Sequence, residues 1–160
     1  GWRGWDGEGF TVSWSDPYRN APRAQKSCRP IAPFGYPVGA VVRHRATGAF
    51  LAVWDAPRVS GKFPTTGIYY ATSRDLLRWS EPALLVAANN PHDSCGANNV
   101  NRDGWIDAYP SLIDHEAEGR NFDDVGARAW LYVARIQNVG CNPAGRRYLL
   151  RTPVSISPAR

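Results

Sequence analysis

A chain of 160 residues, 43% of them hydrophobic and 21% charged, is long and apolar enough to fold around a core. This composition excludes an intrinsically disordered protein, which would have few aromatic residues and a large net charge. The net charge of +5 comes almost wholly from arginines that lie in separate segments rather than along one stripe, so we expect no nucleic-acid partner.

The proportions of aromatic residues, prolines and glycines predict an all-β protein. The chain has seven Trp, seven Tyr and five Phe together with 13 Pro and 15 Gly, which favours short strands broken by turns over long helices. No apolar run approaches the roughly 20 residues that span a membrane, and no signal-peptide pattern opens the chain. We therefore expect no membrane partner.

Residues 1–33 are predicted to form half of a repeat unit. The stretch GFTVSWSDP and the following AQKSCRPIA match only the third and fourth strands of a four-strand layout found later in the chain. The chain opens with GWRGW, in the middle of what is predicted to be a structured segment, and it contains no methionine. We therefore expect that an N-terminal portion with further units is missing.

Residues 34–88 are predicted to form a complete four-stranded unit. Each strand is short, rich in β-branched or aromatic residues, and bounded by Gly, Pro or Asp. The four stretches are GYPVGAVVRH, GAFLAVWDAP, TGIYYATSRDLLRWSEP and ALLVA. A helix after Ser73 is limited to one turn, because Pro82 and the flanking β-branched runs stop it from growing.

Residues 89–160 repeat the same layout and add two long polar loops, at 89–103 and 115–125. The predicted strands are DAYPSLIDHE, ARAWLYVARIQ, GRRYLLRTP and VSIS. An antiparallel four-stranded unit that repeats every roughly 40 to 60 residues is typical of a β-propeller blade. Two and a half blades cannot close a ring, since propellers have about four to eight. A β-sandwich, which also has short strands between turns, is the alternative.

The most specific pattern in the chain is the run YYATSRDLLRWSEP, residues 69–82. It resembles a blade signature of the five-bladed propeller glycoside hydrolases, the arabinanase, xylosidase and invertase-like group. We expect Ser73 and Asp75 to cap its turn and Trp79 to pack over the hairpin. Four further stretches resemble parts of the same group: SWSDP looks like a degraded copy of this turn, and DAYPSLID, followed by NFD and WLYVAR, looks like a late blade.

This resemblance implies a sugar site over the central channel, with catalytic carboxylates on the innermost strands of different blades. Glycoside hydrolysis needs two carboxyl groups about 5 to 9.5 Å apart. Asp107 opens the innermost strand of the last unit and is the leading catalytic candidate, although an Asx turn at the end of a loop explains it equally well. Asp55, which ends a strand, is the second candidate, and plain strand termination is its more ordinary explanation.

Aromatic and polar residues near these carboxylates are candidates for substrate binding. Trp105, in the loop before Asp107, is expected to stack on a sugar, whereas Trp54 and Trp130 lie inside strands and are predicted core residues. The loop side chains are expected to bind sugar hydroxyls, or simply to satisfy the loop backbone. The candidate set is Trp105, Tyr109, Arg102, Asp103, His92 and Asn99.

The three cysteines, Cys28, Cys95 and Cys141, do not have the spacing of a zinc site, and we expect no metal and no other cofactor. One disulfide that leaves Cys28 over and three free thiols are equal alternatives.

We expect a secreted or periplasmic protein. The leading functional prediction is a glycoside hydrolase-like protein that acts on or binds carbohydrate. The alternatives are a non-catalytic carbohydrate-binding propeller and a structural or interaction module. The remaining blades are expected to come from the missing N-terminal sequence or from another chain.

Overall fold

The computed structural model describes residues 3–13, 28–31, 34–89, 104–119 and 121–157. Within these residues the chain forms β-strands and no helix, so the predicted all-β class is confirmed. The strands are β1 (Arg3–Gly4), β2 (Val12–Ser13), β3 (Ala40–His44), β4 (Phe50–Ala56), β5 (Gly67–Ser73), β6 (Ala83–Ala87), β7 (Trp105–Ile113), β8 (Asp124–Val125), β9 (Arg128–Gln137) and β10 (Arg147–Ser155). No helix long and apolar enough to cross a membrane occurs in the described ranges.

Four neighbouring strands of the central sheet come from one continuous segment. The strand order is β6-β5-β4-β3-β8, and the pairings among β3, β4, β5 and β6 are antiparallel. The four strands predicted within residues 34–88 are therefore confirmed. The fifth strand, β8, comes from the following unit and pairs in parallel with the end of β3, with Arg43 opposite Asp124 and His44 opposite Val125. This pairing joins the two units, and the sequence pattern did not predict it.

The turn after β5 has the predicted capping. The hydroxyl of Ser73 accepts hydrogen bonds from the N–H groups of Asp75 and Leu76, at 3.2 and 2.9 Å. A carboxylate oxygen of Asp75 in turn accepts one from the N–H of Arg78, at 2.7 Å. These backbone donors, first among them that of Arg78, hold the pKa of Asp75 far below its ordinary value. The indole N–H of Trp79 donates to the Leu76 carbonyl at 3.0 Å, which closes the hairpin.

The second sheet has three strands instead of the predicted four. Its order is β10-β9-β7, and both pairings are antiparallel. The stretch VSIS, predicted as a separate strand, continues β10, because Pro153 lies opposite Trp130 and Ser155 opposite Arg128 in one unbroken register. Proline is tolerated there because β10 is an edge strand among the described residues, where a missing N–H can face away from the ladder. The prediction of a separate fourth strand is therefore wrong.

The N-terminal segment contributes one small hairpin. Strands β1 and β2 pair antiparallel, with Arg3 opposite Ser13 and Gly4 opposite Val12. The stretch AQKSCRPIA lies mostly outside the described residues, and residues 28–31, its longest described part, contain no strand. The prediction that residues 1–33 form half of a repeat unit therefore stays a prediction.

The main core lies between the two larger sheets, and a second, aromatic cluster covers the far side of the central sheet. Strand β4 is buried on both faces, which explains why FLAVWDA is nearly continuous in apolar residues instead of alternating with polar ones. The main core contains Val42, Leu51, Val53, Ile68, Leu112, Val125, Ala129 and Leu131. The aromatic cluster contains Phe34, Trp54, Phe63 and Tyr69, and the fully buried Trp54 confirms its prediction as a core residue.

Strands β3 and β7 lie side by side and run in the same direction. Just before β3, Gly39 is so close to Pro110 of β7 that a Cβ at position 39 would collide with the Pro110 carbonyl oxygen. Just beyond the other ends of these strands, Nη2 of Arg45 lies 2.7 Å from Oδ2 of Asp114. Residue numbers rise along both strands between these two contacts. The two sheets are therefore stacked so that β3 and β7, each the first strand of its antiparallel set in chain order, lie next to each other.

An ion-pair network closes the junction of β3, β7 and β8. Arg45 binds Asp114 and also Oδ1 of Asp124, at 2.8 Å. The buried carboxylate of Asp114 accepts hydrogen bonds from the N–H groups of Glu116 and Gly126, at 2.9 and 2.8 Å. Burial acts to raise the pKa of Asp114, but these hydrogen bonds and Arg45 outweigh it, so the net pKa is lowered.

Candidate functional site

Asp107, the leading catalytic candidate, is held in a two-point ion pair. It lies in β7 directly opposite Arg135 of β9, whose Nε and Nη2 donate to Oδ1 and Oδ2 of Asp107 at 2.8 and 2.9 Å. The Asp107 side chain is only 12% exposed. Hydrogen bonding to Asp107 raises the pKa of Arg135. One guanidinium therefore occupies both carboxylate oxygens of Asp107, the arrangement of a bidentate ion pair, so a structural role of Asp107 stands beside the catalytic one.

Trp105 lies on the same side of the sheet as Asp107. It is half-buried at the start of β7, and its ring lies 5.4 Å from that of Tyr148 in β10, measured between centroids. The prediction placed Trp105 in a loop, as a residue that stacks on a sugar. In the structure Trp105 instead lies in a strand and packs against the ring of Tyr148. Tyr148 itself is 48% exposed.

Asp55, the second catalytic candidate, faces the main core from the opposite sheet. It is half-buried near the end of β4 and lies opposite Ile68. Side chains alternate along a strand, so Asp55 lies on the same side as Val53, which belongs to the main core. Asp107 lies on the side of its own sheet that carries Val133, which packs against that core. The two predicted carboxylates therefore lie on facing surfaces of the two sheets.

Tyr109 is presented to solvent by an irregular backbone. The register of β7 shifts between Ala108 and Ser111, and Tyr109 within this bulge has a φ of 56° and is 74% exposed. Phe122, in the loop before β8, likewise has a φ of 54° and is 52% exposed. Positive φ is uncommon outside glycine and is a genuine outlier for a bulky residue. Two large aromatic residues are therefore held outward by backbone conformations that they rarely adopt.

Both of these rings line one cleft, which we call the aromatic cleft. Its volume is 630 Å³, within the range of about 300–1,000 Å³ usual for ligand sites. Its lining residues are Tyr109, Ser111, Ile113, His115, Phe122, Tyr132, Ala134 and Leu149. The cleft lies on the side of the second sheet that faces away from the main core. Nε2 of His115 and the hydroxyl of Tyr132 are 2.9 Å apart, so the cleft holds one hydrogen-bonded polar pair among its apolar rings.

Trp130 extends the aromatic surface beside this cleft and is not a core residue, so its predicted role is wrong. It is half-buried on the outer side of β9, where the ring of His115 stacks on it at 6.2 Å between centroids. The guanidinium of Arg151 also lies over the Trp130 ring, 4.4 Å from its centroid. Strand alternation explains the error, because Leu131 takes the core side of β9 and leaves its neighbour outside.

A second cleft, of 680 Å³, opens between the two sheets near β5 and the end of β10. Its walls are largely apolar and include Leu51, Leu85 and Leu112. His44 also lines it and is 3% exposed. Nδ1 of His44 lies 2.9 Å from the hydroxyl of Thr47, while Nε2 has no hydrogen-bond partner among the described residues. None of the predicted site residues that the structure describes lies in this cleft.

Four predicted substrate-binding residues lie outside the described residues: His92, Asn99, Arg102 and Asp103. Their roles therefore remain predictions. In the described part of the chain, no group of three or more His, Cys, Asp or Glu side chains could hold a metal ion.

The cysteines follow one of the two alternatives. Cys28 is free and exposed, whereas Cys141 is disulfide-bonded. Cys95 lies outside the described residues. The alternative of three free thiols is therefore wrong.

Sequence reasoning missed the residues that surround the candidates. Arg135 was not recognised as the partner of Asp107, because only the register of β7 against β9 brings them together. His115 and Tyr132 were missed as well, although the alternation in AWLYVARIQ puts Tyr132 on the side opposite Leu131 and would have indicated a ring on the outer side of the sheet. No signal short of the tertiary structure indicated that Phe122 lies beside Tyr109.

Comparison with known proteins gives no match: no family model, no curated protein and no solved structure matches this chain. The resemblance to the propeller glycoside hydrolases therefore stays a prediction.

Proposed function

We propose that this chain is a carbohydrate-binding protein and that the aromatic cleft is its sugar site. The observation that carries this proposal is the pair of exposed rings, Tyr109 and Phe122, held at positive φ in one cleft. Such conformations cost on the order of 1–3 kcal/mol and persist where the surrounding structure enforces them, often at ligand sites. Large rings in solvent also have no stabilising role in the chain itself, because they leave apolar area in water.

The chemistry of the cleft suits a pyranose. Flat aromatic rings offer apolar faces to the C–H side of a sugar, and their positions at the rim of a cleft leave room for one or two residues of a glycan. The hydrogen-bonded pair of His115 and Tyr132, together with the hydroxyl of Ser111, offers donors and acceptors to the sugar hydroxyls. This combination of stacking surface and few polar groups supports binding rather than bond cleavage.

The proposal is tested by a glycan array followed by calorimetric titration of the best oligosaccharide. We expect Tyr109→Ala and Phe122→Ala each to weaken binding about tenfold, because one stacking ring contributes on the order of 1–2 kcal/mol. The matched control is Phe10→Ala, which removes a ring that is also 52% exposed but lies in the N-terminal hairpin region. Equal affinity of all three variants, or no bound glycan, would exclude the aromatic cleft as a sugar site.

A structural role is the second candidate, and it depends on the propeller arrangement. Each meander comes from one continuous segment, and β3 and β7 run side by side in the same direction, as do the first strands of adjacent blades. The pairing of β8 with β3 favours a β-sandwich instead, because it places a strand from one unit in the sheet of the other. In a ring, a further blade, from additional sequence or another chain, would cover the outer side of β9 and β10. Leu149, 72% exposed on that side, would then be an interface residue.

Sedimentation analysis separates the structural role from sugar binding. If another copy covers this side, the protein self-associates and Leu149→Arg abolishes the association. A monomer that binds glycan supports the first candidate. A wild-type protein that self-associates and binds no glycan, and whose Leu149→Arg variant is a monomer, supports the second.

Glycoside hydrolysis is the third candidate, supported by the facing positions of Asp55 and Asp107. In this scheme Asp107, paired with Arg135, and Asp55 supply the two carboxyl groups that glycoside hydrolysis needs. Hydrolysis of aryl glycosides is the test. We expect Asp107→Asn to abolish any such activity, and unchanged activity would remove Asp107 from the mechanism.

We also propose that the protein is secreted or periplasmic. The disulfide at Cys141 supports this location, since such bonds persist mainly in oxidising compartments. Labelling of the denatured, unreduced protein should detect one thiol, that of Cys28. Detection of three thiols in protein taken from its native compartment would remove this support.

A further inference from the structure

We infer that the aromatic cleft takes an acidic glycan, one whose sugar units carry carboxylates, in preference to a neutral one. This inference rests on the proposed function and specifies its ligand class. It is carried by arginines that lie next to the cleft on the outer side of the second sheet, first among them Arg151, opposite Tyr132 in the strand register.

Arginines from β10 lie on the same side of the sheet as the cleft. Arg151 lies opposite Tyr132 in the strand register, and Arg147 lies opposite Ile136, so both occupy the outer side together with Leu149 of the cleft. Both arginines are exposed. Strand β10 therefore presents two cations, four residues apart, on the outer side of the sheet. Arg151 lies over the Trp130 ring, and Nη2 of Arg147 donates to the Pro143 carbonyl at 3.4 Å.

The charge of Arg151 is available to a ligand. Its guanidinium stacks on Trp130, with 4.4 Å between Cζ and the ring centroid, and no described carboxylate lies within ion-pair distance of it. Stacking holds the planar group in one orientation without using its N–H donors. A guanidinium fixed in this way is suited to bind a carboxylate through two parallel hydrogen bonds.

Acidic side chains near the cleft do not cancel this charge. Glu116 lies next to His115, but its carboxylate is 4.0 Å from Arg128, a third cation on β9. Asp123 follows Phe122, yet it lines a separate pocket on the β3 side together with Arg43. Glu118, in the same loop as His115, is also exposed, so three arginines face two glutamates on this side. The excess of positive charge attracts an anionic sugar and has little effect on a neutral one.

A nucleic acid shares the preference for aromatic rings and arginines, but the observations favour a glycan. The three arginines lie on a single sheet, and the remaining positive charge of the chain is scattered rather than arranged in a stripe that follows a phosphate backbone. The disulfide at Cys141 also points to an oxidising compartment, where polysaccharides rather than nucleic acids are the usual anionic polymers.

The test compares hexagalacturonate with the same oligosaccharide after complete methyl esterification, which removes the charges and keeps the skeleton. Calorimetry or intrinsic tryptophan fluorescence measures both affinities for the full chain. We expect the acid form to bind at least about tenfold more tightly, since a charge-assisted hydrogen-bond pair contributes on the order of 1.5–3 kcal/mol. Arg151→Gln should reduce this preference about tenfold, and Arg151→Lys, which keeps the charge, should restore part of it.

The matched control is Arg74→Gln, which removes the same charge from an exposed arginine in the turn after β5. It should leave both affinities unchanged, and circular dichroism should confirm that all variants are folded. Equal binding of acid and ester that is still lost in Tyr109→Ala would overturn the inference and leave the proposed function standing. Binding of neither oligosaccharide, on an array that includes other sugars, would overturn both. Tighter binding of poly(U) than of the galacturonate, with competition at the same site, would overturn the glycan assignment.

Discussion

Arg135 holds both carboxylate oxygens of Asp107 across the β7–β9 pair, at 2.8 and 2.9 Å, from the opposite position in the register. Asp107 is almost fully covered, whereas Arg135 is 42% exposed, so weakening this ion pair leaves the group at position 107 without its hydrogen-bond donors and with little water to replace them. We expect Asp107→Asn to lower the free energy of unfolding by about 1–3 kcal/mol, and Arg135→Lys to lower it by less, because lysine keeps the charge but loses the second hydrogen bond.

Urea unfolding of the two variants measures these changes. The control is Arg128→Gln on the same strand, whose partner Glu116 is 4.0 Å away and largely exposed, so its loss should change stability by less than about 0.5 kcal/mol. If Asp107→Asn lowers the free energy of unfolding by no more than the control does, the Asp107–Arg135 ion pair contributes nothing to the stability of the fold.

Two substitutions at Tyr109 test whether the backbone at this position is strained. Replacement by glycine removes the ring and allows the positive φ of 56° without a steric penalty, whereas replacement by alanine removes the ring and keeps the penalty. We therefore expect Tyr109→Gly to be more stable than Tyr109→Ala by about 1 kcal/mol, the reverse of the order usual inside a strand. Thermal unfolding of both variants measures the difference, and a more stable alanine variant would mean that the bulge relaxes.

The buried carboxylate of Asp114 predicts an acid-sensitive fold. Its folded-state pKa is lowered, so its contribution to stability is fully present above the unfolded-state value of about 3.9 and is lost as the pH falls through the folded-state value. We expect the urea midpoint to fall steeply below about pH 4. The variant Asp114→Asn should be less stable at pH 7 by about 1–3 kcal/mol and should have a flatter profile below pH 4.

Asp75 also has a lowered pKa, so wild-type protein should keep some acid sensitivity even without Asp114. The difference between the wild-type and Asp114→Asn profiles isolates the Asp114 contribution. Parallel profiles from pH 7 to pH 2 would mean that the network around Arg45 does not couple proton binding to folding.

The close approach of β3 to β7 depends on Gly39. A methyl group there would collide with the backbone of Pro110, which cannot move aside like a flexible side chain. We expect Gly39→Ala to lower the free energy of unfolding by about 2 kcal/mol or more. The comparison is Gly61→Ala, where a Cβ meets nothing within 4 Å and only the positive φ of 77° opposes the substitution, at a cost of about 1 kcal/mol. Chemical denaturation measures both, and equal losses would argue against the tight packing of the two sheets.

Local patterns were sufficient for the strands whose neighbours follow them directly in the chain. The four strands of residues 34–88 and the capped turn at Ser73 were predicted, because β-branched runs, turn residues and short antiparallel connections act over a few residues. The fourth strand of the last unit was predicted wrongly, since Pro153 was taken as the end of a strand and the edge position of β10 permits it to continue.

The candidate site was only partly predictable. Tyr109 and Asp107 were selected from their strand position and from the resemblance, and Tyr109 lines a cleft while Asp107 is engaged by Arg135. A bulge in β7 places Tyr109 at the outer cleft, whereas Asp107 lies on the side of the main core. This bulge depends on how β7 pairs with β9, and no pattern within DAYPSLID indicates it.

The sequence by itself determined the all-β class, the four strands of residues 34–88 and the buried position of Trp54, because alternation, turn chemistry and apolar runs are properties of neighbouring residues. Only the tertiary structure decided that Arg135 meets Asp107, that Arg45 joins Asp114 to Asp124, and that Phe122 lies in the same cleft as Tyr109. These contacts join residues 13 to 79 positions apart, and they depend on strand register and sheet packing, which follow from the burial of the whole core and not from any one segment.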